Sequence, residues 1–222
     1  SQLKPVSDPK VLKLINPAAK GKVLVMPMAT APGTLEWNGV PLTPSVWPNK
    51  GLGYVARVND VGAVWASGRT KGPRPHCHVC KDGAKSTAAA PCGANISVAG
   101  DASNVLPKGD WTAELAAGPG FGGVTASGYF AYDWYHASHG IAAVEQSPTA
   151  LSLQFGDSSR YGAIESLANK NAAPGRFTVH GLLSEVDSGG EYWYNSATHQ
   201  LYVYPPESPD DDSNSKSWDK AS

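Results

Sequence analysis

The chain has 222 residues, enough to bury one sizeable core, and its 24 glycines and 18 prolines are spread over the whole length, which excludes long helices and favours many short strands joined by turns. Its 18 basic and 19 acidic residues leave a net charge of -1, and no stripe of Lys and Arg supplies the electrostatic footprint of a nucleic-acid-binding protein. No window is apolar over the length that a membrane-spanning helix needs.

The first predicted elements are a capped helix and a strand. Asp8 precedes Pro9 and the sequence KVLKL, so Asp8 can accept hydrogen bonds from the first helical amides, and Pro9 stands where a missing N–H costs nothing. We expect a short helix that ends before Pro17. Residues 22–28, KVLVMPM, then predict a buried strand that breaks towards Pro27.

From Leu35 the chain turns to loops, and a pair of strands follows. Residues 53–58 and 62–67 both alternate between apolar and polar side chains. They predict two paired strands around a turn at Asn59 and Asp60.

A polar, Gly/Pro-rich stretch without periodicity predicts an exposed loop insertion over residues 68–94. It contains all three cysteines, Cys77, Cys80 and Cys92. In an oxidising compartment two would pair, and the third would be free or bonded to a partner chain. Together with the histidines of HCHVC they could instead bind zinc. Only one C-x-x-C pair is present, which favours a disulfide or a bond to a partner, so we assign no metal ligand.

A glycosylation sequon, Asn95-Ile96-Ser97, follows this loop. A sequon has meaning only in a secreted protein. The sequon and the clustered cysteines together favour an extracellular or cell-surface location.

The chain begins at Ser1 with neither an initiator Met nor a signal peptide, which suggests a processed product or an excised piece.

The second half predicts two alternating segments, a helix and a hairpin. Residues 140–144 and 151–155 alternate, and residues 163–172, AIESLANKNA, predict a short helix. Two further alternating runs, 191–195 and 200–204, flank a four-residue turn and are closed by two prolines. They predict a tight aromatic hairpin.

A change in composition marks the end of the predicted folded part. Residues 207–222 open with an acidic, Ser/Asp-rich run of low complexity and predict a disordered or extended tail. Residues 1–206 are therefore predicted to form a single β-rich domain. Its fold class is mostly β, a compact antiparallel assembly with one or two short helices.

Several motifs occur in the order found in one group of secreted proteins. Residues 8–14 resemble D-P-x-V-L-x-x-L, residues 21–24 resemble G-K-V-L, and residues 47–51 resemble W-P-N-x-G. Residues 127–139 resemble the stretch G-Y-W-x-Y-D-W, and the hairpin resembles a segment with G-E-W-Y, a short polar turn and L-Y-x-x-P-P. The chain thus resembles the β-rich segment of secreted right-handed parallel β-helix proteins, many of which are polysaccharide lyases or glycoside hydrolases.

This resemblance implies a module without its catalytic scaffold. In those proteins the β-helix coils that form the substrate groove lie outside the matching segment, which here spans about residues 6–206. The implied domain normally packs on a parallel β-helix, and the chain lacks the coils themselves. Two positions depart from the family pattern: Val46 stands where relatives carry Arg, and Gly189 where they carry Pro.

Two groups of aromatic residues, within 129–135 and 192–204, are candidates for carbohydrate contact. Flat apolar faces with polar tips suit pyranose rings. The residues that we assign are Trp134, Tyr135, Trp193 and Tyr194. The alternative is that strand alternation places half of each group in the core and scatters the rest.

We assign no catalytic residue and no cofactor. Asp133, His136, His139 and Glu145 lie close in sequence. However, β-elimination needs a base and a cation at the substrate carboxylate, and glycoside hydrolysis needs two facing carboxylates. Nothing in the spacing fixes either arrangement, and Asp133 in Tyr-Asp-Trp is typical of a turn residue that binds backbone amides.

Two functional classes remain open. The first, which we favour, is a non-catalytic extracellular module of a larger cell-surface, filament or matrix protein, with a role in carbohydrate association or assembly. Its partners would be polysaccharide and other segments or subunits of that assembly. The second is the N-terminal part of a β-helix polysaccharide lyase or glycoside hydrolase. The odd cysteine favours the first class, because a thiol is available for intermolecular linkage; the second rests on the family resemblance.

Overall fold

A computed structural model describes six parts of the chain, residues 2–62, 93–100, 105–117, 123–157, 159–165 and 173–206. Strands predominate there, and the α-helices are short, so the predicted mostly β fold is confirmed. None of the helices in these six parts is long and apolar enough to cross a membrane. Four predicted features lie wholly or mostly outside the described residues: the three cysteines, the strand over 62–67, the loop over 68–94 and the tail over 207–222.

The strands are short, as the distribution of Gly and Pro predicts. In chain order they are β1 (Lys4–Pro5), β2 (Leu24–Pro27), β3 (Glu36–Trp37), β4 (Val40–Pro41), β5 (Thr43–Pro44), β6 (Val46–Trp47), β7 (Gly53–Tyr54), β8 (Arg57–Asp60), β9 (Asn95–Ala99), β10 (Thr125–Tyr129), β11 (His136–Gln146), β12 (Ala150–Phe155), β13 (Arg176–His180), β14 (Glu191–Asn195) and β15 (Gln200–Tyr204). The helices are α1 (Pro9–Leu14) and α2 (Trp111–Ala116), and 3₁₀ turns span Pro17–Ala19 and Leu183–Glu185.

The described strands form three sheets. An eight-stranded sheet has the order β6-β13-β10-β11-β12-β9-β8, with β7 also paired to β13. A five-stranded sheet has the order β1-β2-β15-β14-β5, and β3 pairs with β4. Strands β14 and β5 pair in parallel, and the other described pairs are antiparallel.

Helix α1 forms where its capping residues predict it. The Asp8 carboxylate accepts a hydrogen bond from the Lys10 amide at 2.8 Å, and Pro9 occupies the first turn. The helix then ends, as predicted, after Leu14. Val11 and Leu14 are buried in a core that the helix shares with the five-stranded sheet.

The β14–β15 hairpin has the bounds that its alternating pattern predicts. Successive side chains enter different cores. Trp193 and Tyr202 pack in the core that contains α1. Tyr192 and Val203 pack on the other face, against apolar side chains of residues 35–42. The centre of the five-stranded sheet is therefore buried on both faces.

The main core lies on the inner face of the eight-stranded sheet. Alternate residues of β9, β12 and β13 are buried there: Ile96, Val98, Leu151, Leu153, Phe155, Phe177 and Val179. Helix α2 packs against β11 and contributes Trp111, whose ring meets Trp47 edge-on at a centroid distance of 5.6 Å. The core is thus closed by a helix on one side and the sheet on the other.

Two predictions in the first half of the chain need correction. Asn59 and Asp60 do not form a turn, because they lie in β8, which pairs with β9. The side-chain Nδ2 of Asn59 donates to Asn95 Oδ1 and Ser97 Oγ, both at 2.7 Å. Asn59 is polar because its side chain lies on the exposed face of a sheet, not because the chain turns there. Strand β2 forms within the predicted range, but its residues are half-buried, or exposed at Pro27, rather than buried.

The helix predicted over residues 163–172 does not begin at its first residue. Residues 163–165 are not helical, and the rest of that range lies outside the described residues. The Ala163 amide donates to the Val61 carbonyl at 3.2 Å, and the Ile164 amide donates to the Phe130 carbonyl at 2.9 Å. Long-range backbone hydrogen bonds hold this segment in place of local helical ones.

Candidate functional site

Among the described residues Trp134 is the most exposed large aromatic side chain, with 67% of its surface accessible. Three tyrosine rings surround it, at centroid distances of 4.9 Å for Tyr132, 5.7 Å for Tyr161 and 6.0 Å for Tyr135. Tyr161 also meets Tyr132 and Tyr135 edge-on, at 5.0 and 4.7 Å. Aromatic pairs at such distances attract each other. We call these four residues the aromatic platform.

The platform forms because strand pairing stops just before it. Strands β10 and β11 pair as far as Tyr129 and His136, which leaves residues 130–135 as the connecting loop. Phe130 enters the main core, where its ring lies 5.1 Å from that of Phe155. The aromatic residues that follow it lie beyond the edge of the core and remain half-buried or exposed.

An ion pair fixes this loop to the sheet. Asp133, between Tyr132 and Trp134, accepts a hydrogen bond from Arg176 Nη1 at 2.6 Å. The Arg176 guanidinium also lies over the Tyr129 ring, 4.7 Å from its centroid. The sequence predicted that Asp133 binds backbone amides at a turn. The structure pairs it with a strand side chain instead, because the register places Arg176 opposite Tyr129.

Polar and charged side chains border the platform. The Arg160 guanidinium lies 5.3 Å from the Tyr161 centroid. The exposed His136 ring meets Tyr129 at 5.5 Å. Exposed, flat ring faces beside hydrogen-bonding groups suit a ligand whose saturated rings have apolar C–H faces and many hydroxyls. The arrangement can bind such a ligand by stacking and orient it by hydrogen bonds.

The four predicted contact residues divide between surface and core. Trp134 and Tyr135 belong to the platform. Trp193 is 5% exposed, and its indole N–H donates to a backbone carbonyl at 2.9 Å. Tyr194 is half-buried, and its hydroxyl donates to another carbonyl at 3.1 Å. Sequence reasoning did not predict Tyr161 as a contact residue, because it comes from a segment separate from the two aromatic groups.

Asn95, the predicted glycosylation site, lies in β9 between β8 and β12. Its Nδ2 donates to Gln154 Oε1 at 3.1 Å, and its Oδ1 accepts from Asn59 at 2.7 Å and Ser152 at 2.9 Å. A glycan on the folded chain would compete with the contact to Gln154. Glycosylation of Asn95 and the pairing of the cysteines stay predictions.

Strand alternation separates the acid and base candidates of the same region. His136 and Glu145 are exposed, whereas His139 is buried and stacks on Phe155 at 5.0 Å. Burial lowers the pKa of His139, and the charge of Asp157 opposes this effect. Within the described residues no three His, Cys, Asp or Glu side chains are grouped so that they could hold a metal ion.

Three buried glutamates have raised pKa values, and none was a sequence-based candidate for catalysis. Burial raises the pKa of Glu185 to about 8, that of Glu114 to about 7 and that of Glu191 to about 7. Glu114 and Glu191 accept hydrogen bonds from backbone amides, and Glu185 accepts one from the Trp111 indole at 2.6 Å. These acids connect segments of the fold.

Comparison with known proteins identifies no family for this chain. No family model matches the chain, and no curated protein matches it. Among solved structures, one described as a glycoside hydrolase superposes with a TM-score of 0.48 at 14% sequence identity. The match covers 85% of this chain and 27% of that protein. The chain thus spans about a quarter of the length of that protein.

Proposed function

We propose that the chain is a non-catalytic, carbohydrate-associated β module of a larger extracellular protein, and that the aromatic platform binds polysaccharide. One observation carries the proposal: Trp134 is 67% exposed and is nevertheless held by tyrosine rings. A large apolar surface left in water is unfavourable, and scattered surface aromatics need no such support. A fixed, exposed ring is what a stacking sugar requires.

The loop supports a site that is ordered before its ligand arrives. Phe130 holds one end of the loop in the core, and the ion pair between Asp133 and Arg176 holds its centre. A surface ordered in advance loses less conformational entropy on binding. The Asp133 and Arg176 side chains are 36% and 28% exposed. Sugar hydroxyls can therefore hydrogen-bond to them while a pyranose ring stacks on Trp134.

The buried glutamates support the non-catalytic part of the proposal. A general acid must come within hydrogen-bonding distance of the bond that it cleaves. Glu114 and Glu185 are at most 2% exposed and already bind backbone or indole N–H groups. Their raised pKa values are explained by burial inside the fold.

The extracellular setting rests on the sequence. A sequon at Asn95 and three clustered cysteines are features of secreted proteins. The resemblance to β-helix-associated segments adds that other parts of the parent protein, or neighbouring subunits, pack on this module. The extracellular setting and the packing of other segments or subunits on this module are both parts of the proposal.

Binding to a panel of neutral and acidic polysaccharides, measured by affinity electrophoresis and calorimetry, tests the proposal. We expect Trp134→Ala to weaken binding by at least about tenfold, the effect of losing an aromatic hot spot. Trp134→Phe should retain part of the affinity, because it keeps a ring. Val40→Ala is a matched control, since Val40 is 49% exposed but lies in β4, in a different sheet.

Three outcomes would count against the proposal. Equal affinities of the wild-type and Trp134→Ala proteins would exclude the platform as the binding site. Failure of the wild-type protein to bind any polysaccharide of the panel would exclude the carbohydrate role. Release of shortened or unsaturated chains from a bound polysaccharide would overturn the non-catalytic part.

A further inference from the structure

The chain passes between the two large sheets at Ser45, between β5 and β6, and again through residues 181–190, the connection from the end of β13 to the start of β14. Carboxyl groups from three elements meet at this connection. Glu114 comes from α2, Glu185 from the 3₁₀ turn within the connection, and Glu191 from β14. All three are buried. We call the connection and these three glutamates the carboxyl joint.

Backbone and side-chain hydrogen bonds both hold the joint together. In the backbone, the Gly190 amide donates to the Tyr204 carbonyl at 2.8 Å, and the Gly190 carbonyl accepts from the Thr43 amide at 2.9 Å. The two oxygens of Glu114 accept hydrogen bonds from successive backbone amides, those of Leu183 and Ser184. Glu191 Oε2 accepts from the amides of Asp187 at 3.0 Å and Ser188 at 2.9 Å. The carboxyl groups thus fix the path of the chain on both sides of Glu185.

The centre of the joint is tightly packed. Glu185 Oε1 lies 2.6 Å from the indole nitrogen of Trp111. A Cβ added at Gly109 would lie 2.3 Å from Ser184 Cβ and 3.5 Å from Glu185 Oε1. Because the backbone approaches so closely, an ionised Glu185 has little room to move towards water.

The charged groups that act on Glu185 are all carboxylates: Asp187, Glu114 and Glu191. Asp187 itself accepts hydrogen bonds from two neutral amides, those of Asn16 at 2.9 Å and Asn49 at 2.7 Å. Like charges brought together in a buried site favour the neutral acids. Ionisation of the three glutamates beside Asp187 would therefore place three or four mutually repelling negative charges inside the fold.

We propose that the carboxyl joint is a pH-sensitive lock between the two sheets, closed while its glutamates are neutral and loosened when they ionise. The amide donors on Glu114 and Glu191 favour the ionised acids and lower their pKa values, but burial outweighs this effect and leaves the three pKa values at about 7 to 8. These values fix the sign. The folded state binds more protons than the unfolded state above the ordinary glutamate pKa of 4.5. Stability is thus fully present below that value and is lost as the pH rises through 7 to 8.

Amide hydrogen exchange detected by NMR, corrected for the intrinsic pH dependence of exchange, tests the lock. The reporters are the backbone amides that the joint holds, Leu183, Ser184, Asp187 and Ser188, together with the Trp111 indole N–H. In the wild-type protein we expect their opening equilibrium to rise by about a hundredfold or more between about pH 5.5 and 8.5, since each acid contributes up to about tenfold per pH unit.

In Glu185→Gln, which keeps an oxygen for the Trp111 indole but cannot ionise, the rise should be at least about tenfold smaller. The control is Glu145→Gln, at an exposed position outside the joint, which should follow the wild-type curve. If Glu185→Gln does not fold, Glu191→Gln takes its place with a smaller expected effect. A wild-type opening equilibrium that does not change with pH would overturn the lock, and so would equal curves for the wild-type and glutamine variants. Sugar binding at the platform does not depend on either result.

Discussion

Two hairpins of this chain are rich in Tyr and Trp, and the fold uses them in opposite ways. In β14–β15 the aromatic residues lie within the strands and all but the half-buried Tyr194 are buried, with Trp193 facing Tyr202 across the pair. In β10–β11 the paired strands carry small and polar residues, and Trp134 lies in the connecting loop and is exposed. Similar composition therefore leads to a core in one hairpin and a surface cluster in the other.

The difference follows from what covers each hairpin. The β14–β15 pair has α1 on one face and residues 35–42 on the other, so both sets of alternating side chains are buried. The outer face of β10–β11 carries hydroxyl groups, and Ser127 and Ser138 lie 2.8 Å apart there. An aromatic residue becomes part of a core only where a second layer supplies its other wall.

The largest effect that would separate the two hairpins is expected from Trp193→Ala. The substitution leaves a cavity beside Tyr202, whose ring lies 5.5 Å away, and removes a hydrogen bond to the Gly181 carbonyl. Truncation of a buried Trp costs about 3–5 kcal/mol of unfolding free energy, which urea denaturation would measure. Trp134→Ala, which loses exposed ring contacts but no core packing, should change the same quantity by no more than about 1.5 kcal/mol. Equal losses in the two variants would contradict the comparison.

A second experiment probes the β10–β11 side of the comparison, where glycines set the spacing between strands. A Cβ at Gly128 would lie 2.2 Å from the Arg176 carbonyl oxygen and 2.6 Å from Phe177 Cβ. Gly128→Ala must therefore push β13 away, at a cost of about 1–3 kcal/mol. Gly140→Ala, in β11, is the matched control. Its Cβ would meet no atom within 4 Å, so thermal unfolding should show a change within about 0.5 kcal/mol.

The parts of the fold that sequence reasoning predicted correctly are those specified by neighbouring residues. Asp8 and Pro9 determine the start of α1, and the alternation on either side of a short turn determines β14–β15. Strand β8 was misjudged because its partner, β9, lies about 36 residues away. Helix α2 was missed although Asp110 caps it by accepting from the Ala113 amide at 2.9 Å. With one buried aromatic and few flanking apolar residues, its six-residue pattern is too short to show a period.

The candidate site divides in the same way. Trp134 and Tyr135 could be proposed from composition, because ring types alone suggest sugar contact. Tyr161 and Arg176 could not, since they reach the loop from distant segments. The register of β10 and β13 brings Arg176 there, and the backbone hydrogen bond from Ile164 to Phe130 holds the segment that carries Tyr161. Trp134 is exposed and Trp193 is buried because a second layer covers only the hairpin that carries Trp193. The alternation of residues within one strand does not predict where such a layer lies.

The smallest effect concerns the ion pair that holds the exposed aromatic loop on the sheet. Asp133→Asn removes a charge but can still accept a hydrogen bond from Arg176, and both side chains are partly exposed. Solvent screening limits such a pair to about 0.2–1 kcal/mol, so a double-mutant cycle with Arg176→Met should give a coupling energy in that range. The ion pair holds the loop that carries Trp134 and does not contact the β14–β15 core. Loss of the pair should therefore lower the affinity for polysaccharide and leave that core unchanged. A coupling energy of zero with unchanged affinity would mean that Phe130 and the ring contacts hold the platform without the ion pair.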